Sequence, residues 1–334
     1  MKEIDKGYWD EYYQFWDWFV QEWFKRRENN PTSRRCGNYD YEDLARSFKA
    51  AVNDLNFNEL PNPYFGDPKN GVEAVIINLN PGGSEIDENR AGTDATQFYS
   101  NLKDTDKKHG KGWLMWKFVD DAKCSYKRFV GNDDESVNWS QLNPSLRGHK
   151  PEVCGVKWWQ GSNPRQIGGK MGWIRRIYGN DLCPSKVFAL ELCPYHSKNF
   201  KVSATLGLKE FIKDWVVSPA VHAVAENRKL DFALAVGGMN DDGKGTMVDI
   251  MNAICGEPEM VWSFENPSCV ESCKWPLNSK GEPTRRKYVL FRGDVNGACA
   301  RILVTMMQGG NKMPGKDFED VEKDVRAYCK VHPL

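Results

Sequence analysis

Net charge is absent from this chain: 46 Lys and Arg balance 46 Asp and Glu over 334 residues. A protein without a global cationic field does not gather nucleic acid by long-range attraction, so any contact with DNA must come from a local basic groove. Long apolar runs are also missing. None approaches the ~18–20 residues that a membrane helix needs. The opening Met1-Lys2-Glu3-Ile4-Asp5 lacks the basic-then-apolar order of a secretory signal. The expectation is a cytoplasmic protein with no membrane contact. Ten cysteines are present, yet no Cys-x-x-Cys pair occurs among them. That argues against common zinc and iron–sulfur frameworks, and the irregular spacing reads as reduced thiols. Neither a metal nor an organic cofactor is expected. No internal repeat or low-complexity tract interrupts the chain.

What is abundant is aromatic. Phe, Trp and Tyr make up 12% of the residues, within a hydrophobic content of 40% that suits a folded globular protein. The densest stretch is residues 8–24, where Trp9, Tyr12, Trp16, Phe19 and Trp23 recur at steps of three and four. That spacing predicts a helix with one aromatic face, clamped on the main body, or else a partner-docking or base-stacking helix. A second helix is predicted over residues 41–55. Pro61, Pro63 and Pro68 then mark the entry to a different kind of structure.

Four short apolar runs follow, at residues 73–79, 186–192, 230–236 and 259–264. Runs of this kind suit buried parallel strands, and helical patterns at 208–217 and 247–254 lie between them. The fold class expected is therefore α/β, a three-layer α/β/α arrangement on a short, mainly parallel sheet. The expected divisions are an aromatic helical extension over 1–60, an α/β domain with insertions over 61–315, and a C-terminal helix and tail over 316–334. A further strand is predicted over 288–291 and a helix over 298–307. Ligands of such sheets bind beyond the carboxyl ends of the strands. Here those ends carry Asn80-Pro81-Gly82, Cys193-Pro194-Tyr195-His196, Gly237-Gly238 and Asn266-Pro267-Ser268. Their coincidence points to one composite site.

At Asn80-Pro81-Gly82 a stiff turn presents an amide: proline fixes its own φ and glycine lets the backbone come close. An amide is a weak base but can hold a water in line with an electrophilic carbon. That suffices where bond breaking runs ahead of attack, as in glycosidic cleavage. The tripeptide is also good chemistry for an ordinary strand-to-helix turn.

Together, Asn80-Pro81-Gly82 and Asn266-Pro267-Ser268 resemble the motifs of the uracil-DNA glycosylase superfamily, nearest to its mismatch-specific branch. That branch reads Gly-x-Asn-Pro-Gly at the first motif, whereas this chain has Asn78-Leu79-Asn80-Pro81-Gly82. The glycine two places before the asparagine is replaced. The likeness spans roughly residues 62–270, with long insertions between short motifs. It implies a DNA glycosylase on a uracil-DNA glycosylase-like fold, acting on a flipped uracil-like or modified pyrimidine base. Asn80 would position the water, while Pro81 and Gly82 would wall the sugar and base. Asn266, Pro267 and Ser268 would enter the duplex. Glu191 would stand where relatives carry the asparagine that reads the base edge. An ionised carboxylate accepts hydrogen bonds and donates none, so it would suit an amino group or ring N–H better than a carbonyl; a structural role, pairing with a lysine or capping a helix, is the alternative for Glu191.

Tyr195 would line the same pocket. His196 would stabilise a leaving base or touch a phosphate, though a single histidine after a strand also serves structural roles. Lys198 and Lys201 follow where a phosphate backbone would pass. Further basic clusters stand at Arg34-Arg35, Arg175-Arg176 and Arg285-Arg286-Lys287, and Trp158, Trp159 and Trp173 are candidates for base stacking. Two alternatives stay open: a non-catalytic binder of nucleic acid or nucleotide on the same fold, and a hydrolase of another small substrate. A Cys193–His196 pair is one form of the latter.

Overall fold

The computed structural model describes residues 7–27, 35–52, 55–57, 63–65, 68–79, 174, 177–179, 182, 186–197, 207–227, 229–239, 243–263, 287–305 and 317–334. The first helix, α1 (Tyr8–Arg27), has Asp10 and Glu11 in its opening turn, which suits the positive end of the helix dipole. All five residues of its predicted aromatic face are buried, Trp16 and Phe19 completely. Helix α2 (Tyr41–Ala51) is started by Asp40, whose carboxylate accepts from the backbone N–H groups of Glu42 and Asp43. It ends earlier than its pattern suggests, because Val52 turns extended and the chain enters a short strand, β1 (Leu55–Asn56).

The remaining strands are β2 (Tyr64–Phe65), β3 (Ala74–Asn78), β4 (Val187–Glu191), β5 (His196–Ser197), β6 (Ala233–Val236), β7 (Met260–Trp262), β8 (Tyr288–Val295) and β9 (Ala298–Thr305). Between β5 and β6 run α3 (Lys209–Ile212), a π-helical turn (Lys213–Val217) and α4 (Ser218–Glu226). Helix α5 (Thr246–Cys255) joins β6 to β7, and α6 (Asp317–Val331) closes the chain.

Seven strands form one mixed sheet in the order β2-β4-β3-β6-β9-β8-β7, while β1 and β5 pair separately. The pairs β4–β3, β3–β6 and β6–β9 are parallel; β2–β4, β9–β8 and β8–β7 are antiparallel. β4, β3, β6, β9 and β7 therefore all point the same way, which bears out the α/β class. The central strands are apolar on both faces because both faces are covered. Val75, Ile77, Phe188, Leu190, Ala233 and Ala235 join α1, α2, α4 and α5 in one cluster. Ala74, Ile76, Val187, Ala189, Leu234 and Val236 meet Val321, Val325 and Cys329 of α6 in the other.

One expectation is overturned. Residues 298–307 were expected to form a helix, yet Ala298–Thr305 is a central strand, paired in parallel with β6 and antiparallel with β8. The deciding feature is the Asn296-Gly297 turn, with φ of +50° and +80°. Two consecutive positive φ values make the tight hairpin turn that matches strand twist, and Asn-Gly is its strongest local signal. That turn commits the Ala-Cys-Ala-Arg-Ile-Leu-Val-Thr segment to a strand, which its β-branched half favours.

Candidate functional site

The chain runs from β3 to β4 on one side of the sheet and then returns to β6 on the other. The carboxyl ends of β3 and β6 thus flank a topological switch point, where ligands of open α/β sheets bind. β3 and β4 are in exact register, with Asn78 opposite Glu191. Their ladder continues beyond the strands: Leu192 donates its N–H to the Asn78 carbonyl at 2.9 Å, and Cys193 to that of Leu79 at 2.9 Å. Leu79 is therefore held in place immediately before Asn80. On the other side Leu79 meets β6. Gly238 has φ +62°, and a Cβ there would lie 2.8 Å from Leu79 Cδ2. Only glycine admits both that backbone and that approach.

A buried polar pair occupies the β3 and β4 ends. Asn78 Nδ2 donates to Glu191 Oε1 at 2.9 Å, with Asn78 3% and Glu191 1% exposed. Strand alternation turns both side chains to the sheet face covered by α6. Burying a carboxylate costs several kcal/mol unless hydrogen bonds answer it. Asn78 supplies one such bond, and it stands at the very position where the Gly-x-Asn-Pro-Gly pattern has glycine. The departure from that pattern at 78 is thus in contact with Glu191, the residue expected at the base-reading position.

Tyr195 takes a different place from the one expected. Its ring is fully buried against Phe19, Phe48 and Phe57, and its hydroxyl shares a hydrogen bond with that of Tyr41 at 2.8 Å. It belongs to the aromatic cluster under α1 and α2, on the opposite face from Glu191, so it is core rather than pocket wall. Cys193 is buried as well, with its Sγ 3.8 Å from the Tyr195 carbonyl, and burial pushes its thiol pKa well above the ordinary value. A thiol held protonated is a poor nucleophile, which disfavours a Cys193–His196 pair. The His196 backbone lies in β5, opposite Asn56 of β1.

Asn80, Pro81, Gly82, Lys198, Lys201, Asn266, Pro267 and Ser268 lie outside the described residues, as do Arg34, Arg175-Arg176, Arg285-Arg286, Trp158, Trp159 and Trp173. The strands that lead to the two Asn-Pro motifs are nonetheless placed. β7, which precedes Asn266, is at the sheet edge, separated from β3 by β6, β9 and β8. Four strand spacings of about 4.8 Å put them about 19 Å apart. The four expected strand ends do share one edge of the sheet. Only those of β4, β3 and β6 are neighbours, which narrows the composite site to these three.

Comparison with protein-family models, with curated proteins and with solved structures finds no match.

One feature escaped the sequence reading beyond its first two glycines. The β6–α5 connection reads Gly238-Met239-Asn240-Asp241-Asp242-Gly243-Lys244-Gly245-Thr246. This follows the G-x-x-x-x-G-K spacing of phosphate-cradling loops, with Gly245 where Ser or Thr ordinarily follows the lysine. Gly245 packs so closely that a Cβ would sit 2.5 Å from the Gly238 carbonyl oxygen. The same carbonyl accepts the Met247 N–H at 3.0 Å, which occupies one of the helix's first amides. Among the described residues, no group of three or more His, Cys, Asp and Glu side chains is arranged to hold a metal ion.

Proposed function

We propose that this chain is a DNA glycosylase on a uracil-DNA glycosylase-like fold, hydrolysing the N-glycosidic bond of a flipped base. The observation that carries the reading is the buried Asn78–Glu191 pair at the switch-point edge, on the strand that runs directly into Asn80. Asn80 holds a water against the anomeric carbon while the bond to the base breaks, and His196 meets the charge that develops on the leaving base. In this reading Glu191, held by Asn78 and 1% exposed before a base enters, becomes the acceptor for the base edge once the flipped nucleotide is seated. The base preferred is then one that presents an amino group or ring N–H. Lys198 and Lys201 supply local phosphate contacts.

The deciding experiment is a base-release screen by mass spectrometry on DNA carrying uracil, mismatches and modified pyrimidines. Release of a free base by the native chain, lost by at least about 100-fold in Asn80→Ala with DNA binding retained, is the expected result. Undiminished release by that variant removes the mechanism. Glu191→Gln adds an amide donor, and it should shift preference towards carbonyl-bearing bases by roughly 5- to 150-fold, the effect of about 1–3 kcal/mol per mismatched polar contact. A native preference for plain uracil sinks the assignment of Glu191.

A second reading, a nucleotide binder without turnover, is favoured by the Gly238–Thr246 spacing after a central parallel strand. Equilibrium dialysis with ATP and GTP separates the two. Nucleotide binding abolished by Lys244→Ala, with no base released from any DNA, selects this reading.

A further inference from the structure

At the amino edge of the sheet, far from the candidate site, the first turn of α1 lies against α4 and the β8–β9 turn. The Tyr8 ring stacks on His222 with centroids 3.8 Å apart and planes 20° apart, and Trp9 meets the same imidazole edge-on at 6.4 Å. The Tyr8 hydroxyl and Asn296 Nδ2 both reach Ser218 Oγ, each at 3.0 Å. Trp9 Nε1 donates to both oxygens of Glu226, at 2.9 and 3.0 Å, one helical turn beyond His222. Within this contact His222 is 4% exposed; the Asn296 backbone offers its imidazole a hydrogen bond, and no described side chain does. The imidazole is thus held as an apolar plate between α1 and α4.

We propose that His222 is a proton-triggered latch: uptake of a proton by its imidazole releases the Tyr8–Trp9 end of α1 from α4. A buried cation answered by a single backbone hydrogen bond is more costly than a buried neutral ring. The proton comes from solvent, and the imidazolium gains water on both nitrogens once the helix end lifts. The Tyr8 phenol stacks on it, and the charged groups that act on that phenol are Glu11 from α1, Asp214 from the π-helical turn and Glu226 from α4. Glu226 is the one carboxylate a turn away on the same helix. If it swings to the imidazolium it leaves Trp9 Nε1, so this response also loosens α1.

The signs are opposite for the two groups. Burial holds His222 below the ordinary histidine value of 6.5, with the Asn296 backbone opposing. The released state therefore binds the extra proton, and docking weakens as pH falls through 6.5. Burial raises Glu226 above 4.5, so its protonation favours docking and opposes the effect of the histidine.

The test is hydrogen–deuterium exchange on the full chain at pH 7.5 and 5.5, corrected for intrinsic exchange. Amides of residues 11–16 should lose about tenfold protection at pH 5.5 relative to those of β6 and β9, the loss that one proton per pH unit below 6.5 allows. His222→Phe, which keeps the stacked ring and cannot be protonated, should abolish the difference. His222→Gln serves the same purpose if the phenylalanine variant does not fold. Equal protection at both pH values, or the same loss in a folded variant without the imidazole, overturns the proposal. DNA plays no part in this readout, so it stands or falls apart from the glycosylase reading.

Discussion

The side chains that define the candidate site stand in places where ordinary packing would choose otherwise. An apolar pair opposite one another at 78 and 191 would suit the α6-side core; asparagine and glutamate stand there instead, joined by one buried hydrogen bond. Asn78→Ala removes the donor to Glu191 Oε1 and should cost about 1–3 kcal/mol in urea unfolding. Asn78→Asp should cost more, since it sets two carboxyl groups side by side. Gly238 is constrained by a different force. Gly238→Ala puts a methyl group at φ +62° and 2.8 Å from Leu79 Cδ2, for about 1–3 kcal/mol of destabilisation. Leu79→Ala in the same chain should recover the contact part and leave the backbone part, a split readable by thermal unfolding.

At the level of elements, α1 works as a wall of the core. Phe15 stacks on Trp215 of the π-helical turn at 3.6 Å, and Trp16 is fully enclosed. Trp16→Ala should cost about 3–5 kcal/mol, the range for deleting a large enclosed aromatic. Helix α6 is fastened by charge. Arg301 of β9 forks onto Glu259 with two bonds of 2.8 Å, reaches the His332 carbonyl at the end of α6, and lies over the Tyr328 ring. The hydrogen bonds to Arg301, with its charge, hold the Glu259 carboxyl below its ordinary value of 4.5. A depressed carboxyl contributes stability that is present above that ordinary value and is lost as pH falls through the lowered one. Arg301→Met should flatten this acid limb of a stability–pH curve, and an unchanged limb would assign the acid sensitivity elsewhere.

Over the whole molecule, zero net charge means that the DNA affinity the proposed glycosylase reading requires would have to come from a few local contacts. With about two or three phosphate contacts, affinity should fall roughly 10- to 50-fold between 50 and 200 mM salt. Lys198→Ala and Lys201→Ala should each lower the salt slope by about one, as fluorescence anisotropy would show. No helix among the described residues is long and apolar enough to cross a membrane. The central strands β3, β4 and β6 and the aromatic face of α1 were legible in the chain itself, because burial leaves a local mark: continuous apolar runs for strands covered on both faces, and steps of three and four for a helix covered on one. Asn296-Gly297 carries a strong turn signal, but the helix expected over 298–307 passed over it, because the apolar stretch that follows fits either form until the hairpin is recognised. Asn78 and Glu191 are 113 positions apart, and no local pattern announces that they touch. Their contact comes from strand register, which is set by pairing between distant segments. The same holds for sheet order, which puts β6, β9 and β8 between the two strands that lead to the Asn-Pro motifs. The composition and periodicity of this chain determine which segments are buried and in what form. Which buried segments become neighbours, and so which polar side chains meet at the edge of the sheet, is decided only when the layers pack.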